Sequence, residues 1–178
     1  MTEGRLQAIP RSRKDIRQVT RMLRKITCKE GEEDARFCII NLLEKILPTM
    51  LGEFYYEIVE DTDLDCEAKT IPDEWKIILK QSVYEGACHE NPRDRFTIAH
   101  EIGHLFLHKG INISLNRGNE SIPAYKDPEW QANTFAAELL VPTFIRNLEN
   151  MSIEDVSKTY GVSKKVAKIQ LGHLRDSK

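Results

Sequence analysis

An α+β fold is what the order of patterns along this chain of 178 residues predicts, with N-terminal helices, a small mainly antiparallel sheet and a helical C-terminal tail. Three observations carry the prediction. Apolar residues at helical spacing fill the first fifty positions. Aromatic and β-branched segments are confined to the middle, and the segments from residue 92 onward read mostly as helix. Apolar residues make up 40% and charged residues 30% of the chain, which fits a globular protein. No run approaches the roughly 18 apolar residues needed to span a bilayer, so no membrane role is expected.

The elements follow in order. Ile16, Val19, Met22, Leu23 and Ile26 recur at steps of three and four, which predicts a first helix with that stripe buried. Residues 1–27 hold eight Lys or Arg against Glu3 and Asp15, while residues 28–65 hold eleven acids against Lys29, Arg36 and Lys45. Such a basic segment can grip nucleic acid, but cations interleaved with an apolar stripe favour a solvated helix face. A second helix spans "DARFCIINLLEKIL" and ends at Pro48, and "FYYEIVE" has strand composition. "TIPDEWKIILKQSVYEG" offers a turn and then one or two strands, around Ile77 to Leu79 and around Val83 and Tyr84. Asn91 and Pro92 open the helix "DRFTIAHEIGHLFLH", which closes at Lys109 and Gly110.

Residues 111–126 read as a polar loop around "NRGNE". Asp127 as N-cap and Pro128 as first residue then start the helix "EWQANTFAAELL", running to Pro142. Two short helices finish the chain: Ser152 caps the first, Gly161 ends it and Ser163 caps the second. Four cysteines (Cys28, Cys38, Cys66 and Cys88) contain no CxxC pair and are expected as free thiols. The first residues, "MTEGRLQAIPRSRK", lack the apolar core of a signal peptide, which points to the cytoplasm.

Chemistry concentrates on the helix of three histidines. His100 and His104 lie about 40° apart around the axis and about 6 Å apart along it, so two imidazoles can share one zinc. Glu101 borders the same surface, and H-E-x-x-H pairs two histidine ligands with a glutamate as general base. His108 lies about 12 Å along the axis from His100 and cannot join them on one ion; it reads as an ordinary helix-end histidine. Nearly every other position from Phe96 to Leu107 is apolar, and burying unpaired His and Glu among them would be costly without a metal.

A catalytic zinc takes three protein ligands and one open position. The candidates for the third are His89, His173, Asp127, Glu120, Glu129 and Glu138. On a helical wheel of the next helix, Glu129 falls on the apolar face with Ala132, Phe135, Ala136, Leu139 and Leu140. Asn133 sits at that face's edge, placed to hydrogen-bond a ligand histidine or Glu129, while Glu138 points the opposite way, toward solvent. The reading is one zinc per chain on His100, His104 and Glu129, with Glu101 as base.

"RDRFTIAHEIGHLFLH" followed by "AYKDPEWQANTFAAELLVP" resembles the ImmA/IrrE family of zinc metallopeptidases, and "VYEGA" upstream is similar to the same group. The resemblance covers about residues 70–142; the tail resembles the family's helical ending, and "IPRSRKDI" adds little. It implies a zincin-like metallopeptidase fold with an HExxH active-site helix, a metallopeptidase domain over 1–145 that includes the N-terminal helices, and a helix-turn-helix-like subdomain over 146–178. The implied ligands and base coincide with those above. The implied substrate is a helix-turn-helix repressor of a phage or mobile element. Tyr125 or Tyr84 is a candidate for stabilising the oxyanion, and a strand near Val83 and Tyr84 could align an extended substrate. A competing reading is a regulator that binds DNA, a repressor or an antitoxin through "VSKTYGVSKKVAKIQL" without proteolysis. The second helix of that segment has no Arg or Asn for a bidentate base contact, which favours a helix pair packed on the core.

Overall fold

The computed structural model describes residues 5–110, 114–116, 122–145 and 147–175. A short strand, β1 (Arg5–Gln7), leads into α1 (Arg13–Thr27). Ser12 starts α1 with a reciprocal capping box: its hydroxyl accepts from the Asp15 N–H, and the Asp15 carboxylate accepts from the Ser12 N–H. The buried face carries Ile16, Thr20, Leu23 and Arg24, whereas Met22 and Ile26 of the expected stripe are 66% and 55% exposed. The reason lies in Arg24. Its guanidinium donates to the carbonyls of Glu33 and Ala35 in irregular backbone and of Leu139 in the last turn of the helix Pro128–Leu140, all groups without a ladder partner. Burial pulls its pKa down to about 10, so it stays charged. The basic helix is thus neither a free arm nor a wholly solvated face.

The second helical stretch starts at Ile39 rather than Asp34. It runs through α2 (Ile39–Asn41), a π turn (Leu42–Ile46) and α3 (Leu47–Leu51), with Pro48 inside it rather than at its end. The Leu47 N–H bonds the Leu42 carbonyl five residues back, and this widened turn lies just before Pro48, where a proline ring would otherwise crowd the preceding carbonyls.

β2 (Tyr55–Val59), β3 (Ala68–Ile71) and β4 (Lys76–Lys80) form a sheet of order β2-β4-β3. β2 runs parallel to β4 and β3 antiparallel to it, so this sheet is mixed rather than mainly antiparallel. β3 had no sequence signal strong enough to predict it. Val83 and Tyr84 are not strand: they lie in α4 (Gln81–Cys88), where Val83 and Ala87 are buried one turn apart. The Asp61 carboxylate accepts from the Ser82 N–H, satisfying a first-turn donor of that helix. β5 (Ser114–Asn116) pairs antiparallel with β1.

α5 (Pro92–His108) begins at the Asn91 cap, and Gly110 just beyond it has φ +66°. α6 (Pro128–Leu140) begins at the Asp127 cap. The two helices touch at Gly103. A Cβ there would sit 3.1 Å from Phe135 Cδ1 and 3.2 Å from Ala132 Cα, so glycine sets how closely α6 approaches. α7 (Ile153–Tyr160) ends at Gly161, φ +61°, and α8 (Lys164–Arg175) follows, with Ser163 accepting from the Val166 N–H. Val156, Tyr160, Val162, Ala167 and Leu171 join the same core as Ile77, Leu79, Ile98, Ile102, Phe135 and Leu139.

α6 is covered almost all round, which overturns the placement of Glu138. Far from solvent, its carboxylate is fully buried and accepts from Arg13 Nη1 (3.0 Å), Arg17 Nε (3.1 Å) and Thr143 Oγ1 (2.6 Å). The face opposite Glu129 meets α1, and the basic residues of α1 supply its counter-charge. The four cysteines are free thiols, and among the described residues no helix is long and apolar enough to cross a membrane.

Candidate metal centre

The close packing of α5 on α6 brings one turn of each helix to a common point. His100 Nε2 lies 2.9 Å from His104 Nε2, and Glu129 reaches them with Oε2 at 3.3 Å from His100 and Oε1 at 3.4 Å from His104. A tetrahedral zinc with bonds of roughly 2.0–2.1 Å holds its ligand atoms about 3.3 Å apart. The Glu129 separations run to different oxygens, and one donor atom from each of the three residues lies within 4.8 Å of the others, so two imidazoles and one carboxylate can converge on one ion. Among the described residues these three form the group able to hold a metal.

Glu129 is not on the covered face that the helical wheel suggested. Its side chain is 65% exposed, although Pro128, Gln131 and Ala132 around it are buried. The histidines at 3.3 and 3.4 Å hold its carboxyl well below the usual carboxylate range, outweighing its partial desolvation. For His100, burial acts to lower the pKa, but the hydrogen bond to Glu129, the charges of Glu101 and Glu129 and the contact with Asn133 together raise it.

The supporting contacts were partly foreseen. Asn133 Oδ1 accepts from His100 Nδ1 at 3.1 Å, one of the two contacts that its place on the wheel allowed. His108 is no ordinary helix-end residue. It is 3% exposed, and its Nδ1 lies 2.9 Å from His104 Nδ1 and its Nε2 3.1 Å from Gln131 Oε1. Burial and the neighbouring His104 pull its pKa down to about 4, so it is neutral at pH 7. The four-residue step from His104 was the signal for this contact. Gln131 left none, since the wheel places it away from Glu129's face.

Glu101 is also nearly buried, and Thr70 on β3 fixes it: Thr70 Oγ1 donates to Glu101 Oε2 at 2.6 Å and lies 3.0 Å from the Glu101 carbonyl. No sequence pattern announced Thr70. A cleft of about 300 Å³ opens over His100 and Glu101, bounded by Glu67 and Ala68 at the start of β3. Through Phe96, Thr97 and Asn133 it continues into a groove of about 840 Å³ floored by Trp130, Val166 and Ile169.

The other candidates go elsewhere. Tyr84 is corrected as an oxyanion donor: its hydroxyl donates to Glu44 and its ring stacks on Tyr56, with Glu44 and burial raising its pKa. Tyr125 is 48% exposed, and its carbonyl accepts from Arg11 N and Gln131 Nε2. His89 bonds the Glu85 carbonyl, Asp127 caps α6 and His173 lines the larger groove. Glu120 and the "NRGNE" segment lie outside the described residues, apart from Asn116 at the end of β5.

A family model described as Peptidase M78, IrrE N-terminal-like domain, matches residues 59–171, well over half of the chain. A solved structure of a Mycobacterium tuberculosis transcriptional regulator shares the fold, with a TM-score of 0.59 at 15% identity over 86% of this chain and 54% of that one. This chain therefore spans about half the length of that protein. No curated protein matches.

Proposed function

This chain belongs to the IrrE N-terminal-like family of M78 peptidases, and from that premise we propose that it is a zinc-dependent endopeptidase acting on a protein substrate. The observation that carries the reading is the three-residue donor set of His100, His104 and Glu129, with Glu101 lining the same cleft. Zinc held there would polarise the scissile carbonyl and lower the pKa of water toward about 7. Glu101 takes the proton from the attacking water and returns it to the leaving amine. Thr70 holds the Glu101 carboxylate in one orientation, and Asn133 and His108 orient the two imidazoles. Among the described residues β3 pairs on one side only, beside the cleft, so its other side suits an extended substrate added as a further strand. That role replaces the one expected of Val83 and Tyr84.

The substrate proposed is a helix-turn-helix repressor, on the resemblance of the two motif blocks, with the cytoplasm as the place of action. Metal analysis of protein purified without chelators should give about one zinc per chain. Glu101→Gln should keep that zinc and lower repressor cleavage by roughly 10²–10⁴-fold, the usual worth of a general base. Zinc loss in the variant, or unchanged cleavage, would overturn the assignment.

The competing DNA-binding reading rests on α7, the Gly161 turn and α8, where Lys164, Lys165 and Lys168 are exposed. Lys164 is engaged by Glu154 at 2.8 Å, and Gln170 points inward to the Val141 carbonyl. Salt-sensitive binding of duplex DNA by the whole chain, lost in a Lys165→Glu and Lys168→Glu double variant, would favour it.

A further inference from the structure

We propose that Gln131 and His108 are positioning residues for the metal centre: they lock His104 as its Nδ1–H tautomer and so aim its Nε2 lone pair at the ion. The inference rests on the zinc reading above and concerns two residues with no role in it as ligand or base.

The chain of donors runs in one direction. Gln131 Nε2 donates to the main-chain carbonyls of Ile9 and Tyr125, each at 2.8 Å. Carbonyls only accept, so the amide orientation is fixed and Gln131 Oε1 must be the acceptor toward His108. His108 Nε2 therefore carries the hydrogen of the 3.1 Å contact. His108 Nδ1 faces His104 Nδ1 at 2.9 Å, and a His104 that gives its Nε2 lone pair to the ion carries its hydrogen on Nδ1, so in this contact His104 donates and His108 accepts. His104 Nε2 is left with its lone pair facing His100 Nε2 and Glu129. Asn133 does the same for His100 in one step.

This relay ties the site to a part of the chain outside the 59–171 match. Residues 8–11 are laced to the entry of α6 by Ala8 N–H to the Lys126 carbonyl and Arg11 N–H to the Tyr125 carbonyl, both at 2.8 Å. The Ile9 carbonyl is one of the two fixed points on which the Gln131 amide is set. The N-terminal segment is in this way the far end of the hydrogen-bond chain that orients a metal ligand.

The test uses the full chain and reads zinc affinity by competition with a chromophoric chelator. His108→Leu and Gln131→Leu should each weaken zinc binding by roughly 10–100-fold, as loss of a ligand's supporting partner does. His108→Gln, whose amide oxygen can still accept from His104 Nδ1, should recover most of that loss. In zinc-free protein at pH 8, long-range proton–nitrogen NMR should find the His104 hydrogen on Nδ1 in the wild type and shifted toward Nε2 in His108→Leu. A merely structural role would lower thermal stability but leave the tautomer unchanged. If His108→Leu fails to fold, Gln131→Met and His108→Gln carry the comparison. Wild-type affinity retained in the leucine or Gln131→Met variants, or an Nε2–H tautomer in the wild type, overturns the relay. Absence of zinc binding in the wild type overturns the metal reading instead.

Discussion

His108 and His100 respond to protons in opposite senses, although both sit on one helix face. His108 is buried neutral with a pKa near 4, so the unfolded chain takes up its proton first. Its contribution to stability is present above the unfolded value of about 6.5 and is lost as pH falls toward 4, up to about 3 kcal/mol at 1.36 kcal/mol per unit. The His100 pKa is raised, so in the zinc-free protein its pairing with Glu129 stabilises below about 6.5 and fades as pH rises through the raised value. Urea unfolding of zinc-free protein at pH 4.5 and 7 should show a larger drop on acidification for the wild type than for His108→Gln. Equal drops would mean that His108 is solvated. Zinc and proton also compete for His100, so zinc affinity should weaken as pH falls through the same range. At this scale the convergence of His100 and His104, with Glu101 beside them, was legible, because spacing alone sets their geometry. Thr70 and Gln131 were not, since their roles exist only across elements.

The contact between α5 and α6 is the element on which the site depends. Gly103→Val would push its side chain into Phe135 and Ala132. The expected cost is roughly 1–3 kcal/mol of overpacking, together with weaker zinc binding as Glu129 is moved off the histidine pair. A variant that loses stability but binds zinc as tightly as the wild type would show that the spacing does not limit the site. α6 is also pinned on its far side. Glu138→Gln leaves Arg13 and Arg17 facing a neutral group and should cost about 2–3 kcal/mol in denaturant unfolding. That is below the roughly 3–5 kcal/mol of a fully buried pair because both arginines keep some water. The caps and breaks of these helices were readable: Asn91, Asp127, Ser152 and Gly161 act locally. The rotation of α1 and the placement of Glu138 were not, because a one-helix pattern assumes one covered face and α6 is covered on several.

Across the whole molecule, the proposed metal centre would couple to the fold. Its three residues come from two helices that pack in a core that also includes α7 and α8. Zinc at a thousand times its Kd should therefore raise global stability by about 4 kcal/mol, read as a higher Tm that a chelator reverses and that Glu129→Ala abolishes. A Tm indifferent to chelator would detach the site from the fold. The sequence by itself determined the helix that carries His100, Glu101 and His104, and the acid on the following helix, because helical spacing fixes angle and rise within one segment. Only the tertiary structure decided how those helices meet at Gly103, that β3 rather than residues 83–84 borders the cleft, and that the face holding Glu138 is covered. It also set the partners of Glu101 and His108. These are contacts between segments far apart in the chain, and no local period encodes a distance between two elements.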